Sequence, residues 1–405
     1  MDGKDVKCPS WLVNRLNKDS GVISFYEFMD MALNDPIHGA YAAGNLEIGI
    51  RGDFCTSPSL GSDFAEILAI QLVDWFQQLE SKFDAVSTFS LVEIGPGEGT
   101  LAKDLINAFV DIAPDLISKL EIILVEPSQA MSDRQKKTIS QEFVNVSWKT
   151  IEELSKEPVV GIILAHEVLD VLPVERFVFK NQTFFRQGVE LIKTNNEFQL
   201  EYKDLPLTKE ISNFILNSQE IIGIDINSLP IKDNWCSEWH SNLPNWLEQV
   251  SRIIKHGPLL IIDYALEAKR YYNSQRNSGT LISYSAQKAT SELLKDPGNC
   301  DLTSHLCIES LLYYAQKTKW KFIGETRQGQ ALLALGLAKR LHSLKDIPNN
   351  QLAIALSRRE SLLRLVDPIG LGEFRWLAFQ KEDYLNNKDN LINLENLFLK
   401  EPIIS

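Results

Sequence analysis

The chain has 405 residues, of which 44% are hydrophobic, so it is long enough for one large hydrophobic core and a smaller accessory domain. Its formal net charge of -13 argues against a broad nucleic-acid-binding surface, because such a surface needs clustered Lys and Arg. The five cysteines are scattered and form no C-x-x-C pair, so they suggest neither a disulfide framework nor a metal site and favour a reducing compartment.

The N-terminal sequence carries no recognisable targeting signal. Residues 1–13, MDGKDVKCPSWLV, have neither the basic start and apolar run of a signal peptide nor the Arg-rich, acid-poor character of a transit peptide. The apolar runs at 159–165 and 258–262 are far shorter than the roughly 18–20 residues that span a bilayer. We therefore expect a soluble protein of the bacterial cytoplasm that does not insert into membranes.

Residues 10–88 are expected to form helices interrupted by a glycine-rich loop. FYEFMDMAL has helical spacing, and HGAYAAGNLEIGIRGDFCTSPS contains turn-forming glycines and a proline. The following GSDFAEILAIQLVDWFQQL returns to a helical period, and its apolar face consists of Phe64, Ile67, Leu68, Leu72, Trp75 and Phe76. We expect this segment to form a cap over the active site.

From residue 89 the pattern alternates between strands and helices. Strands predicted at 89–94, 121–126 and 159–165, with helical segments between them, indicate an α/β fold with a parallel sheet and helices on both faces. In residues 177–202, apolar and polar residues alternate as they do in antiparallel strands. GPLLIIDY predicts another buried strand, and WKFIGETRQGQALLALGL predicts a closing strand or hairpin. The expected division is a cap at 10–88, an α/β core at 89–185 and 251–340, an inserted α+β subdomain at 186–250, and a C-terminal helical tail at 341–405.

The stretch LVEIGPGEGTLAKDL joins the first core strand to a helix through a glycine loop. Gly95, Gly97 and Gly99 are spaced two and two, unlike the G-x-G-x-x-G of dinucleotide-binding proteins. Pro96 lacks the backbone N–H that a pyrophosphate needs, and Glu98 adds a negative charge in the same place. A cationic, phosphate-free nucleotide fits better, and S-adenosylmethionine is one. An ordinary strand–turn–helix is the alternative interpretation.

Two acids flank this loop in ways that suit such a cofactor. Glu93, at the end of the first core strand, can face the positive end of the cofactor. Glu126 ends the next strand, LEIILVEP, where one carboxylate can accept two hydrogen bonds from a ribose diol. The alternative for Glu126 is a solvated strand end.

The motif IILAHEVLDVLPVERF ends a third buried strand in His166, Glu167 and Asp170. Because ligands in open α/β sheets bind beyond the carboxyl ends of the strands, these acids are predicted to line the cleft. Alternatively, His166 caps the strand and Asp170 caps the next turn.

Several segments in this order resemble one family, from about residue 20 to about residue 375. They are HGAYAAG, RGDFCTSPSLGSDFAE, LVEIGPGEGTLAKDL, ILAHEVLDVLPVERF, IIDY, PGNCDLTSHLCIESL and RQGQALLALGL. The chain resembles the MidA-type (DUF185) S-adenosylmethionine-dependent methyltransferases, which include a mitochondrial factor that methylates an arginine of a complex I subunit. The resemblance implies a Rossmann-like methyltransferase fold, S-adenosylmethionine as cofactor and a protein substrate, such as a complex I type subunit.

This chain departs from the family mainly on the substrate side. His166 stands where the family usually has Asn, Val168 and Leu169 replace an aromatic pair, and Ser59 replaces an acid after TSP. The segments around the cofactor loop keep the family pattern.

The expected chemistry assigns roles to the remaining residues. An arginine guanidinium is charged at neutral pH and must lose a proton on methylation, so Glu167 is expected to clamp it, with Asp170 as second carboxylate or support. The resemblance places the loop with Asp53 and Thr56, and His166, against the cofactor. His305 is a candidate proton acceptor, or else a packed histidine.

Three further interpretations stay open from the sequence. The chain can be a non-catalytic S-adenosylmethionine-binding assembly chaperone or a small-molecule methyltransferase. A nicotinamide-dependent oxidoreductase is disfavoured by Pro96, Glu98 and the glycine spacing. A homodimer is compatible with every one of these interpretations.

Overall fold

A computed structural model describes residues 8–402 except 20, 47–48, 50–51, 53–54, 140–144, 195–196, 287 and 382–393. The helices are α1 (Ser10–Leu16), α2 (Phe25–Asn34), α3 (Asp63–Lys82), α4 (Thr100–Ile112), α5 (Pro114–Ile117), α6 (Gln129–Thr138), α7 (Ile151–Lys156), α8 (Lys209–Leu216), α9 (Ser218–Ile222), α10 (Leu243–Arg252), α11 (Ala268–Tyr271), α12 (Ile308–Lys317), α13 (Gln328–Ala334), α14 (Leu337–Ser343) and α15 (Leu352–Leu365). The strands are β1 (Val22–Ser24), β2 (Phe89–Ile94), β3 (Leu120–Val125), β4 (Asn145–Trp148), β5 (Val159–His166), β6 (Glu175–Lys180), β7 (Thr183–Thr194), β8 (Glu197–Leu205), β9 (Trp235–Trp239), β10 (Ile254–His256), β11 (Pro258–Asp263), β12 (Ala265–Leu266), β13 (Ile282–Ser285), β14 (Lys288–Thr290), β15 (Asp301–Thr303), β16 (Leu306–Cys307), β17 (Trp320–Arg327) and β18 (Arg375–Lys381).

The central sheet has the strand order β17–β18–β11–β5–β2–β3–β4, and β10 pairs with β5. Strands β4, β3, β2, β5 and β11 run parallel, whereas β18 is antiparallel to both β11 and β17. The strands β2, β5 and β11 are apolar almost throughout because helices cover both faces of a parallel sheet. The predicted α/β fold is confirmed, and the strands predicted at 89–94, 121–126 and 159–165 are each found within one residue of those bounds. The segment predicted as a closing strand or hairpin forms β17 followed by the helix α13.

Helices pack against both faces of this sheet. One face carries α3, α4, α13 and α15, and the apolar face predicted for α3 is fully buried there. The other face carries α7, α10 and α12. The helix α3 therefore belongs to the core of the molecule, although the sequence assigned it to an N-terminal cap.

A second, antiparallel sheet contains the ribbons predicted at 177–202. Its order is β1–β7–β6–β9, with β8 pairing to β7. The sheet begins with β6 at Glu175, so residues 175–185 lie here rather than in the central sheet where the sequence division put them. The N-terminal strand β1 also joins it, through β7.

The C-terminal region differs most from its expected form. The sequence predicted a helical tail at 341–405, and α15 fits that description. However, β18 inserts between β11 and β17 as a fully paired inner strand of the central sheet. This part of the chain thus completes the core and is more than a tail.

Candidate cofactor and active site

A cavity of about 470 Å³ opens at the carboxyl ends of β2, β3 and β5. The chain leaves β2 toward β3 on one side and returns to β5 on the other, so the strand order reverses at this point. Such a switch point is where open α/β sheets bind their ligands. The predicted residues in its wall are Thr56, Glu93, Gly95, Gly97, Glu126, His166 and Glu167.

The glycine loop has the backbone conformation that only glycine adopts easily. Gly95, Gly97 and Gly99 have φ values of 62°, 52° and 76°, and α4 begins directly after Gly99. A Cβ atom at Gly95 would lie 3.0 Å from Cγ2 of Val168. The loop therefore packs directly on the turn that follows β5.

Glu93 lies at the base of the cavity, almost completely buried. Burial raises the pKa of Glu93 to about 8. Within the described part of the chain, its Oε2 atom has no hydrogen-bond partner. A buried acid with an unused oxygen suits the cationic end of a ligand, and the contact expected for Glu93 stays a prediction.

Glu126 is held at the cavity edge by donors on both of its oxygens. The backbone N–H of Ser128 donates to Oε1 at 2.8 Å, and Gln135 donates to Oε2 at 3.1 Å. Burial raises the pKa of Glu126 above its ordinary value despite these donors. Gln135 was not singled out from the sequence, where it is one more polar residue of an exposed-looking helix.

Glu167 has an unusual backbone as well as an unusual environment. Its φ is 53°, in the region that favours glycine, and its N–H donates to the Ile262 carbonyl at 2.9 Å. Burial and the nearby Asp263 and Asp301 raise the pKa of Glu167 well above its ordinary value, while the Ser57 N–H donates to its carboxylate and opposes that shift.

His166 lies between Glu167 and the aromatic ring of Phe64. Its Nε2 is 3.4 Å from Oε1 of Glu167, and its ring centroid is 5.3 Å from that of Phe64. Burial lowers the pKa of His166 to about 3, so the imidazole is neutral at pH 7 and the contact with Glu167 is no salt bridge.

Two further carboxylates, those of Asp170 and Asp301, lie near Glu167. Asp170 is buried, and burial together with Asp263, Asp301 and Glu167 raises its pKa well above the ordinary value. The hydroxyl of Tyr41, which lines the cavity, donates to Asp301 at 3.0 Å. Asp170 is not in the cavity wall itself, so its position matches the supporting role more closely than direct contact.

Asp263 fixes the turn that carries Glu167 and Asp170. Its Oδ2 accepts from the backbone N–H groups of Val168, Leu169 and Asp170 at 3.3, 2.9 and 3.3 Å. Its Oδ1 accepts from the Tyr264 N–H at 2.7 Å. Burial raises the pKa of Asp263 to about 7, although these donors oppose the shift.

The loop before α3 contributes Thr56 to the cavity and is tied to the C-terminal region. Ser57 accepts a hydrogen bond from Nε2 of Gln328 at 3.0 Å, and the same nitrogen donates to the Leu365 carbonyl at 3.2 Å. The Gln328 side chain is fully buried. Asp53, the other residue predicted in this loop, lies outside the described residues.

His305 is not in the cavity wall. Its ring centroid is 5.5 Å from that of Tyr264, and burial with the nearby Arg276 and Arg270 lowers its pKa to about 4. The imidazole is therefore neutral at pH 7. Its predicted role as proton acceptor stays a prediction, and the geometry favours the packed alternative.

Among the described residues, no group of three or more His, Cys, Asp or Glu side chains is arranged to hold a metal ion. In the same residues, no helix is both long and apolar enough to cross a membrane.

Comparison with known proteins gives concordant results. A family described as S-adenosyl-L-methionine-dependent methyltransferases matches residues 67–326. Protein arginine methyltransferase NDUFAF7, mitochondrial, of Bos taurus is 27% identical over 93% of this chain and 84% of its own length. The Homo sapiens protein of the same name is 26% identical over 88% and 79%.

The same architecture occurs in a solved structure. A COG1565 superfamily member from Burkholderia thailandensis, bound to S-adenosyl-homocysteine, superposes with a TM-score of 0.76 at 22% identity, covering 94% of this chain and 93% of that one. This likeness shows a shared fold. The family match itself includes both the glycine loop and the turn after β5.

Proposed function

This chain belongs to the family of S-adenosyl-L-methionine-dependent methyltransferases, and from that premise we propose that it methylates an arginine side chain of a protein substrate. The cofactor is S-adenosylmethionine, as the glycine loop predicted. Arginine is the target in the names of the NDUFAF7 relatives. For this chain, the buried carboxylates around Glu167 support the same target.

The cofactor fits the part of the cavity between Glu93, the glycine loop and Glu126. When bound, S-adenosylmethionine supplies a methyl carbon activated by a sulfonium. Glu93 offers a buried oxygen without a partner to the positive end of the cofactor. Glu126 retains acceptor capacity on both oxygens, because a carboxylate accepts about four hydrogen bonds and the structure uses two.

The substrate end of the cavity suits a guanidinium. A guanidinium keeps its charge at neutral pH and carries five N–H donors. In the described part of the chain, Oε1 of Glu167 and Oδ1 of Asp170 have no hydrogen-bond partner. Burial and the neighbouring carboxylates raise the pKa of both acids, and a bound cation would oppose that shift by supplying the missing charge.

Glu167 then has two tasks in the reaction. Its carboxylate orients the guanidinium, and it receives the proton that the attacking nitrogen loses as this nitrogen bonds to the methyl carbon. Transfer of the methyl group to that nitrogen would break the carbon–sulfur bond and release the rest of the cofactor as a neutral thioether. Holding the two reactants in line and keeping water away from them is the main contribution a protein makes to such a displacement.

The proposal is tested by labelling. The purified protein and S-adenosylmethionine with a radiolabelled methyl group are added to a lysate from a strain that lacks this protein. We expect label in one protein band, with methylarginine identified by mass spectrometry. A complex I type subunit is the first substrate to examine, because the family resemblance implies one.

The same experiment can also favour a small-molecule methyltransferase or a non-catalytic chaperone. Label in metabolites but in no polypeptide would replace the protein substrate by a small molecule. Cofactor binding without transfer to any acceptor would favour the non-catalytic chaperone.

A further inference from the structure

Gln135 is a fully buried residue of α6 that joins two segments of the cavity wall to the strand β4. Its Nε2 donates to the Gly97 carbonyl at 2.8 Å and to Oε2 of Glu126 at 3.1 Å. Its Oε1 accepts from Nε1 of Trp148 at 2.9 Å. The two N–H groups of the amide are thus both used, one on the glycine loop and one on the end of β3.

The bond to Glu126 leaves that carboxylate little freedom. Ser128 holds one oxygen and Gln135 holds the other, and Ser128 also caps α6 by accepting from the Met131 N–H at 3.3 Å. These two protein donors each occupy one lone pair of Glu126. The remaining lone pairs are therefore the ones that a ligand can use. Trp148 in turn prevents the Gln135 amide from flipping, because a flipped amide would place two donors face to face.

We infer that Gln135 is a positioning residue of the cofactor site, which sets the Glu126 carboxylate and the Gly97 carbonyl at a fixed separation. The cofactor would then bind to one preorganised surface, because Gln135 holds Glu126 and the glycine loop together instead of leaving them to move independently. The inference rests on the ribose contact proposed for Glu126. No part of it requires Gln135 to touch the cofactor.

The test measures the affinity of S-adenosylhomocysteine and of its analogue lacking both ribose hydroxyls by calorimetry. Gln135→Met should weaken S-adenosylhomocysteine roughly ten-fold, the lower range for a hydrogen bond to a charged group, and the analogue much less. In a Glu126→Ala background, the effect of Gln135→Met should be at least ~3-fold smaller, since residues in one network are not additive.

Gln71→Met is the matched control. Gln71 is also a fully buried helical glutamine, and its Oε1 accepts from the Phe398 N–H at 3.1 Å, outside the cavity. The Gln71→Met variant should be less stable than the wild type but should bind S-adenosylhomocysteine with unchanged affinity. If Gln135→Met does not fold, Trp148→Phe replaces it, because this variant removes the donor that orients the Gln135 amide. It should weaken S-adenosylhomocysteine more than the analogue, but by a smaller factor than Gln135→Met.

The outcomes separate the inference from its premise. Equal weakening of both ligands by Gln135→Met, or full additivity with Glu126→Ala, would overturn the positioning role. An unchanged affinity in Glu126→Ala alone would overturn the ribose contact instead.

Discussion

Glu167 combines properties that an ordinary structural glutamate avoids. Its φ of 53° is strained for any residue with a Cβ, and its side chain is buried with one oxygen lacking a partner in the described part of the chain. Strain of this kind costs about 1–3 kcal/mol and persists only where the surroundings impose it. Here Asp263 imposes it by binding the next three backbone N–H groups. Such strain concentrates at functional positions.

Replacing Glu167 by Gln tests the proposed clamp. The amide keeps the size of the side chain but neither balances a guanidinium charge nor accepts its proton. Methyl transfer should fall by at least ~100-fold, the lower range for a positioned acid–base group, while cofactor affinity stays within a few-fold. Single-turnover methylation and calorimetry measure the two quantities.

His166→Asn is the companion variant, because Asn is the residue the family usually carries there. It should leave turnover intact if the neutral His166 only packs against Glu167 and Phe64. Normal turnover in Glu167→Gln at saturating cofactor would remove Glu167 from catalysis. If cofactor affinity and turnover fall together in Glu167→Gln, Glu167 contacts the cofactor instead of the target arginine.

Replacing Glu126 by Ala tests the ribose contact. We expect S-adenosylmethionine to bind more weakly by roughly 1.5–3 kcal/mol, the range for a hydrogen bond to a charged group. The analogue without ribose hydroxyls should hardly change, since it cannot make that bond. Equal losses for the two ligands, measured by calorimetry, would show that Glu126 supports the fold only.

At the scale of elements, the site depends on two turns that contact each other. The glycine loop after β2 and the turn after β5 approach so closely that a Cβ atom at residue 95 would lie 3.0 Å from the Val168 side chain, which would have to shift. Arg134 of α6 adds a third segment, donating to Glu98 at 2.9 Å and to the Leu46 carbonyl at 3.1 Å. The loop before α3, the glycine loop and α6 are therefore linked around one cavity.

Gly97→Val should abolish cofactor binding without unfolding the chain. The φ of 52° at Gly97 disfavours a β-branched residue, and the side chain would project where the loop meets its ligand. Calorimetric titration with S-adenosylmethionine measures the loss, and circular dichroism checks the fold.

Gly223→Val supplies the matched control for backbone strain. Gly223 ends α9 with a φ of 71° and has open space around its Cβ position, away from the cavity. This variant should lose stability and keep its affinity. Wild-type affinity in a folded Gly97→Val protein would contradict the assignment of the loop.

At the scale of the whole molecule, the buried acids link stability to pH. The pKa of Glu93 is about 8 in the folded protein and about 4.3 in an unfolded chain. Between these values the folded state holds a proton that the unfolded state has lost, so this contribution to stability disappears as the pH rises through 8. Buried histidines do not interfere above pH 7, where unfolded histidine is already mostly neutral.

We therefore expect the free energy of unfolding of the cofactor-free protein to decrease between pH 7 and pH 8.5. Glu93 contributes a slope of at most about 1.4 kcal/mol per pH unit, which corresponds to one proton. Urea titrations of the wild type and of Glu93→Gln measure it, and the variant should show the smaller decrease. Identical pH dependence of the two proteins would mean that Glu93 is ionised in the folded state at neutral pH.

Local pattern was sufficient for the fold class and for the identity of the cofactor. Period and composition predicted β2, β3, β5 and the buried face of α3, because each is decided by residues adjacent in the chain. The glycine spacing with Pro96 and Glu98 similarly favoured a phosphate-free cofactor over a dinucleotide, and the family match agrees.

Contacts between distant segments decided the rest. The place of β18 inside the central sheet, the three N–H groups on Asp263 and the bonds of Gln135 all join residues brought together only by folding. His305 is the opposite case: the sequence made it a candidate for the site, but it packs against Tyr264 and is not in the cavity wall. Sequence alone determined which elements form and which ligand class suits the loop; the tertiary structure decided which side chains share the cavity, because burial and charge depend on neighbours that no local pattern records.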